Sequence, residues 1–286
     1  MPEAGCRVAV IGASARRVAR ALVIAGIGLV TASAPARAQS PQDTAREIER
    51  YREAVADSSP GELWEIRGED LWKTRRGPNK VSLEQCDLGE GPGVVAGALA
   101  RLPRWFADAG RVMDLETRLL HCMVTLQGFE AAALQRQAFG SGEQRSDFEA
   151  LSAWIAAESR GRTLVPPLDH PAEQAAWRLG RELFFVRGGT HDFACTTCHA
   201  QSGRRIRLQE LPNLSRPEEA RRVLVTWPAY RVSQGEMRTL QWRMNDCFRQ
   251  QRFPDLVFGS DVSVALLSYL LNNARGAALA GPGVRR

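Results

Sequence analysis

The sequence predicts a mainly α-helical protein built from two tandem, related domains. Three observations carry this. An internal repeat runs through most of the 286 residues. Apolar residues recur at helical spacing, and no convincing alternating strand pattern is present. One short motif, C-x-x-C-H at Cys195-Thr196-Thr197-Cys198-His199, stands in the second copy of the repeat. That motif is the attachment signature of a c-type haem, with two thiols one helical turn apart and a histidine placed to ligate the iron. A zinc site would need two further Cys or His ligands at compatible spacing, and a redox dithiol would not need the histidine.

The N-terminus reads as an export signal. Arg7, Arg16, Arg17 and Arg20 precede the apolar run Ala21 to Ser33, and Ala36-Arg37-Ala38 has the small-x-small form of a cleavage site. Residues 1–38 are therefore expected to be a signal peptide, with the mature chain starting at Gln39 in the periplasm. Removing them takes Lys+Arg from 38 to 33 and Asp+Glu from 32 to 31, so the net charge falls from +6 to +2. Most of the basicity belongs to the signal, and no nucleic-acid partner is inferred. No other apolar run approaches ~20 residues, so no membrane span is expected in the mature chain.

The repeat gives the domain organisation. Residues 68–87 align with 180–199 without a gap: Gly68 meets Gly180, Leu71 meets Leu183, Trp72 meets Phe184 and Cys86 meets Cys198. Leu83 stands where Cys195 stands, and Asp87 where His199 stands. The first copy thus reads as a degenerate haem site. Arg118-x-x-x-Cys122 parallels Arg243-x-x-x-Cys247, and Ala150 to Gly161 parallels Ala265 to Gly276. Between the copies, Thr163 to Pro171 holds three prolines and cannot continue a helix. The expected division is 39–165, a degenerate cytochrome c-like domain without haem, and 166–286, a haem-binding cytochrome c domain.

Within each copy, Gln42 to Val55 and Pro171 to Val186 are expected to be the helices entering the haem motif. Phe148 to Ser159 and Val262 to Ala274 are expected to pack across them. Ala200 to Leu240 reads as a long connection with a basic face (Arg204, Arg205, Arg207, Arg221, Arg222). Leu240 to Arg252 lacks Gly and Pro and reads as a helix.

A second axial ligand decides what the iron does. Met237, Met244 and Cys247 are the candidates. Met on iron would make a plain monohaem electron carrier. Five cysteines remain in the mature chain, and haem attachment takes two. Cys86 and Cys122 can pair with each other, which leaves Cys247 free to reach iron as a thiolate; the alternative is a buried, inert cysteine. Arg243 lies one helical turn before Cys247, on the same face. Its guanidinium favours an ionised sulfur and offers a planar fork to an oxyanion. The alternative duty for Arg243 is pairing with a haem propionate. Arg249 and Arg252 add positive potential.

The order C-x-x-C-H then R-x-x-x-C-x-x-Q-x-R (Arg243, Cys247, Gln250, Arg252), preceded by a degenerate copy, resembles the SoxA family, the haem-bearing subunits of L-cysteine S-thiosulfotransferase. The likeness covers essentially the whole mature chain. Some members carry haem in both domains; Leu83 and Asp87 place this chain with the single-haem form. The resemblance implies one covalently bound haem c, iron ligation by His199 and Cys247, a persulfide on Cys247, substrate binding by Arg243 and a Cys86–Cys122 disulfide. It implies thiosulfate as substrate, a SoxX-type small cytochrome c as partner, and the SoxYZ carrier, whose SoxY cysteine receives the thiosulfate.

Overall fold

The computed structural model describes residues 59–142, 144–206 and 209–285, with a few single positions between 40 and 54. The signal peptide expected over 1–38 lies outside the described residues.

Each copy is organised by one crossing pair of helices. In the first, α1 (Glu62–Lys73) carries Glu62 and Glu65 in its first turn and Lys73 in its last, matching the helix dipole. After the hairpin of β1 (Arg104–Phe106) and β2 (Arg111–Met113) come α2 (Leu115–Thr125), the short α3 (Ala131–Arg136) and α4 (Asp147–Ala157). Ser146 caps α4 by accepting from the Glu149 amide. In the second copy, α5 (Pro171–Phe185) begins with a capping box between His170 and Glu173, with Pro171 in the first turn. It leads into α6 (Cys195–His199) and is crossed by α9 (Asp261–Asn273), capped by Ser260.

Close approach fixes both crossings. A Cβ on Gly68 would lie 2.1 Å from the Ala150 carbonyl oxygen, and one on Gly180 would lie 1.8 Å from that of Ala265. Only glycine lets the backbones touch there. Beside each glycine an aromatic pair seals the contact: Trp72 against Trp154 at 5.7 Å and Phe184 against Tyr269 at 5.3 Å between ring centroids. The entering helix of the first copy is therefore α1, not Gln42–Val55. The described positions from Arg46 to Ala54 are helical, but they lie upstream of the segment that carries Gly68 and Trp72.

The span 200–240 is more structured than the sequence suggests. It holds β3 (Arg205–Ile206), β4 (Gln209–Glu210), α7 (Pro217–Leu224), β5 (Ala229–Arg231) and β6 (Glu236–Arg238). α7 starts on proline and buries Ala220 and Leu224, one turn apart. β5 pairs antiparallel with β6 and parallel with β7 (Gly283–Arg285), so its second partner comes from the far end of the chain. Local periodicity cannot report such a pairing.

The structure also extends the repeat. Residues 103–122 and 228–247 correspond without a gap: Pro103 with Pro228, Gly110 with Gly235, Leu115 with Leu240, Arg118 with Arg243, Cys122 with Cys247. In both, a cis X-Pro bond leads into a two-stranded hairpin and then a helix, capped by Asp114 in one and Thr239 in the other.

The two cores interlock. Met237 and Phe258 pack in the core of the first copy, and Ala100 in that of the second. The seam is polar and buried. Arg238 pairs with Glu149 at 2.8 Å, the Thr239 hydroxyl donates to Glu116 at 2.7 Å, and Gln241 donates to Asp114 at 2.6 Å.

Candidate haem and sulfur site

Helix α6 is a single turn that sets Cys195 and Cys198 on one side. The Thr197 hydroxyl accepts from the Ala194 amide at 2.9 Å and fastens its start. His199 Nδ1 lies 3.0 Å from the Pro212 carbonyl oxygen. A carbonyl only accepts, so Nδ1 carries the proton and Nε2 keeps its lone pair for a metal. Burial pulls the His199 pKa down and the Arg243 charge adds to this, against the upward pull of the hydrogen bond to Pro212.

Helix α8 (Leu240–Gln250), capped by the Thr239 hydroxyl, presents Arg243, Asp246 and Cys247. Cys195, Cys198 and Cys247 are free thiols. Cys247 is close enough for its charge to act on Cys195, and that of Cys198 acts on Cys247. Burial, with the neighbouring Cys247, pushes the Cys195 thiol up to about 12. Cys247 is also pushed up by burial, against the downward pull of Arg243. The guanidinium beside it favours the ionised sulfur, as the spacing predicts, but desolvation outweighs that one charge. A metal cation at the sulfur is what ionises a thiol outright.

The donor set fits a c-type haem. Two thiols stand on one turn, one imidazole has Nε2 free, and a third thiol approaches from another helix. Among the described residues, no group of three or more His, Cys, Asp or Glu converges as a bare metal site. The methionine candidates fare differently. Met237 is fully buried in the core of the first copy and cannot reach this site. Met244 is buried in the second core, in the cluster of Phe184, Leu266 and Tyr269.

Three site residues escape sequence reasoning. Asp246 collects Arg243 (2.9 Å), Arg249 (2.7 Å) and Gln250 (2.7 Å). Its i, i+3 position relative to Arg243 was legible. Pro212 and Arg231 arrive from distant segments, with no local signal. Arg252 is exposed, and its backbone carbonyl accepts from Thr190.

The corresponding positions of the first copy are used differently. Leu83 is fully buried, and Cys86 is bonded to Cys122. The Asp87 carboxylate folds back to accept from the amides of Gly89 (2.6 Å) and Gly91 (3.0 Å).

Known proteins resemble this chain over most of its length. The SoxA/TsdA cytochrome c domain family matches residues 67–164, which lie in the first copy. The L-cysteine S-thiosulfotransferase subunit SoxA of Hydrogenophilus thermoluteolus is 46% identical over 258 residues, 90% of this chain and 94% of that protein. The subunit of the same name from Pseudaminobacter salicylatoxidans is 30% identical over 291 residues, 99% of this chain and 95% of that one. The crystal structure of SoxXA from P. pantotrophus superposes with a TM-score of 0.67 at 26% identity, covering 83% of this chain and 84% of that one. With a shared cytochrome c-like fold and a relative of this identity spanning almost its whole length, the chain belongs to the SoxA family of L-cysteine S-thiosulfotransferase subunits.

Proposed function

We propose that this chain is the catalytic subunit of a periplasmic thiosulfate-oxidising complex. It joins thiosulfate to a cysteine of a SoxY-type carrier protein, with Cys247 as the sulfur centre. In the overall reaction a carrier thiol and thiosulfate give the cysteine S-thiosulfonate, one proton and two electrons. One S–S bond forms, between the carrier sulfur and the outer sulfur of thiosulfate, and the electrons go to a SoxX-type small cytochrome c. The domain reading that goes with this is a haem-free domain over 39–165 and a haem domain over 166–286, after a signal peptide over 1–38.

The observation that carries the proposal is the meeting of Cys247 with Arg243 beside the C-x-x-C-H turn. Cys195 and Cys198 would hold one haem c by thioether bonds, and His199 and Cys247 would ligate it. When bound, haem c supplies one-electron redox chemistry beside the sulfur. Arg243 binds the sulfonate oxygens of thiosulfate through its guanidinium fork. Thiosulfate would join the outer sulfur of a Cys247 persulfide as two electrons leave. The carrier thiolate would then attack the sulfur that bears the sulfonate, breaking the new S–S bond and returning the persulfide unchanged by ordinary thiol–disulfide exchange. Asp246 holds Arg243 in place along the helix. Of the two methionines that would make this a plain electron carrier, Met237 belongs to the other core, whereas Met244 lies in the second core beside Cys195.

The test is substitution of Cys247. Cys247→Ala should keep haem attached, since attachment uses Cys195 and Cys198, and should abolish transfer to the carrier. Cys247→Met should restore a sixth ligand without restoring transfer, because a thioether cannot hold a transferable sulfur. Full thiosulfate-dependent activity in Cys247→Met would reduce Cys247 to a ligand and end the proposal.

A further inference from the structure

Arg243 is not a whole positive charge, since the Asp246 carboxylate pairs with it. Thiosulfate carries two negative charges. Arg231, at the end of β5, is the residue that makes up the difference. The charges of Arg243, Asp246, Arg238 and Cys247 act on it, and its own acts on Cys247, so it stands near the same site. Its guanidinium lies 5.8 Å from the centroid of Trp242, the neighbour of Arg243. Its Nε is buried and has no hydrogen-bond partner among the described residues. Glu236, its cross-strand neighbour, makes no ion pair with it, whereas Arg238 is compensated by Glu149. A buried donor without an acceptor is costly unless a ligand supplies one.

The repeat provides an independent argument. Arg231 corresponds to Phe106 and Ser233 to Asp108. In the first copy, the Phe106 ring covers Arg118 at 4.1 Å, and both Asp108 oxygens accept from Arg118 (2.9 and 2.7 Å). Around the equivalent Arg243, the covering ring has become an arginine and the chelating carboxylate a serine. At these two positions the local charge rises by two units; Asp246, standing where the first copy has His121, offsets one of them, and the balance has the sign a bound anion requires.

We propose that Arg231 is a second anion-binding residue of this site, gripping the sulfonate end of a dianionic sulfur oxyanion together with Arg243. The inference rests on the reading of Cys247 and Arg243 given above. The experiment titrates thiosulfate, and separately sulfate, into the haem-loaded full chain by calorimetry, alongside steady-state transfer assays. Arg231→Gln should weaken thiosulfate binding at least 10-fold and raise KM by a like factor, with kcat within 3-fold; Arg231→Lys should recover part of the loss. Ser233→Asp, at an exposed turn position that should not disturb folding, should weaken binding in the same direction. Thiosulfate binding unchanged in both Arg231→Gln and Ser233→Asp overturns the inference. So does a shift in haem reduction potential without a change in binding, which would make Arg231 a haem partner instead. A wild-type chain that binds neither anion overturns it too. Binding that depends on Arg231 in a protein that performs no transfer leaves the anion site standing and removes only the proposed reaction.

Discussion

The two copies share a frame and differ in what ties it together. In the first, Cys86 and Cys122 are joined directly, their Cα atoms 5.7 Å apart. In the second, the equivalent Cys198 and Cys247 are free, and near enough for the charge of Cys198 to act on Cys247. One copy has a covalent link where the other has two free thiols. Their arginines follow suit. Arg118 is buried, chelated by Asp108 and covered by Phe106, a structural cation. Arg243 is partly exposed, shares one carboxylate with Arg249, and has a second arginine nearby. A duplicated frame can thus be closed into a strut in one copy and opened into a site in the other with few substitutions.

The largest test of this contrast is the disulfide. It closes a loop with a sequence separation of 36 residues. In the chain-entropy model a loop of that size contributes on the order of 3–4 kcal/mol. Replacing both Cys86 and Cys122 by Ala should lower stability by about that amount in chemical denaturation. The haem content should stay at one per chain in a pyridine haemochrome assay, since Asp87 is a poor substitute for imidazole. Two haems in the native protein would collapse the distinction between the copies.

The seam between the copies should titrate. Burial holds the carboxyls of Asp114, Glu116 and Glu149 above their ordinary range, Glu149 at about 7 despite its pairing with Arg238. A carboxyl that binds its proton more tightly when folded stabilises the fold fully below its unfolded pKa. That contribution is lost as pH rises through the folded pKa. For Glu149 the window runs from 4.5 to about 7, and the loss is at most about 3 kcal/mol. Denaturation midpoints should therefore fall across this window, and Glu149→Gln should flatten the fall. An unchanged pH profile in Glu149→Gln would show that the seam does not couple the copies in this way.

The smallest expected effect separates shared frame from specialised site. Gly68→Ala and Gly180→Ala each force a methyl group against a backbone carbonyl. Each should cost about 2–3 kcal/mol, the upper part of the usual overpacking range. Only Gly180→Ala, on the helix that runs into Cys195, should also lower haem incorporation. Equal haem loading in the two variants would show that the crossing in the second copy does not position the motif.

Much of this molecule could be read without coordinates. C-x-x-C-H, the gap-free match of 68–87 with 180–199, and the four-residue spacing of Arg243 and Cys247 are contiguous patterns, and contiguous patterns survive in a linear string. The correspondence of 103–122 with 228–247 was equally present, but its identities are scattered, and only the shared cis-proline, hairpin and capped helix made it visible. Gln42 to Val55 has helical composition, so periodicity could not tell it from α1; the packing of Gly68 under Ala150 did. Composition, motif order and repeat thus determined the class of the protein, its haem turn and its candidate sulfur residue. The tertiary structure decided the rest: that Met237 belongs to the opposite core, that Pro212 holds His199, that burial outweighs Arg243 at Cys247, and that Arg231 comes near enough for its charge to act on the same sulfur. Each of these joins residues distant in sequence, and such contacts are selected by the free energy of the packed whole, which no local stretch of chain encodes.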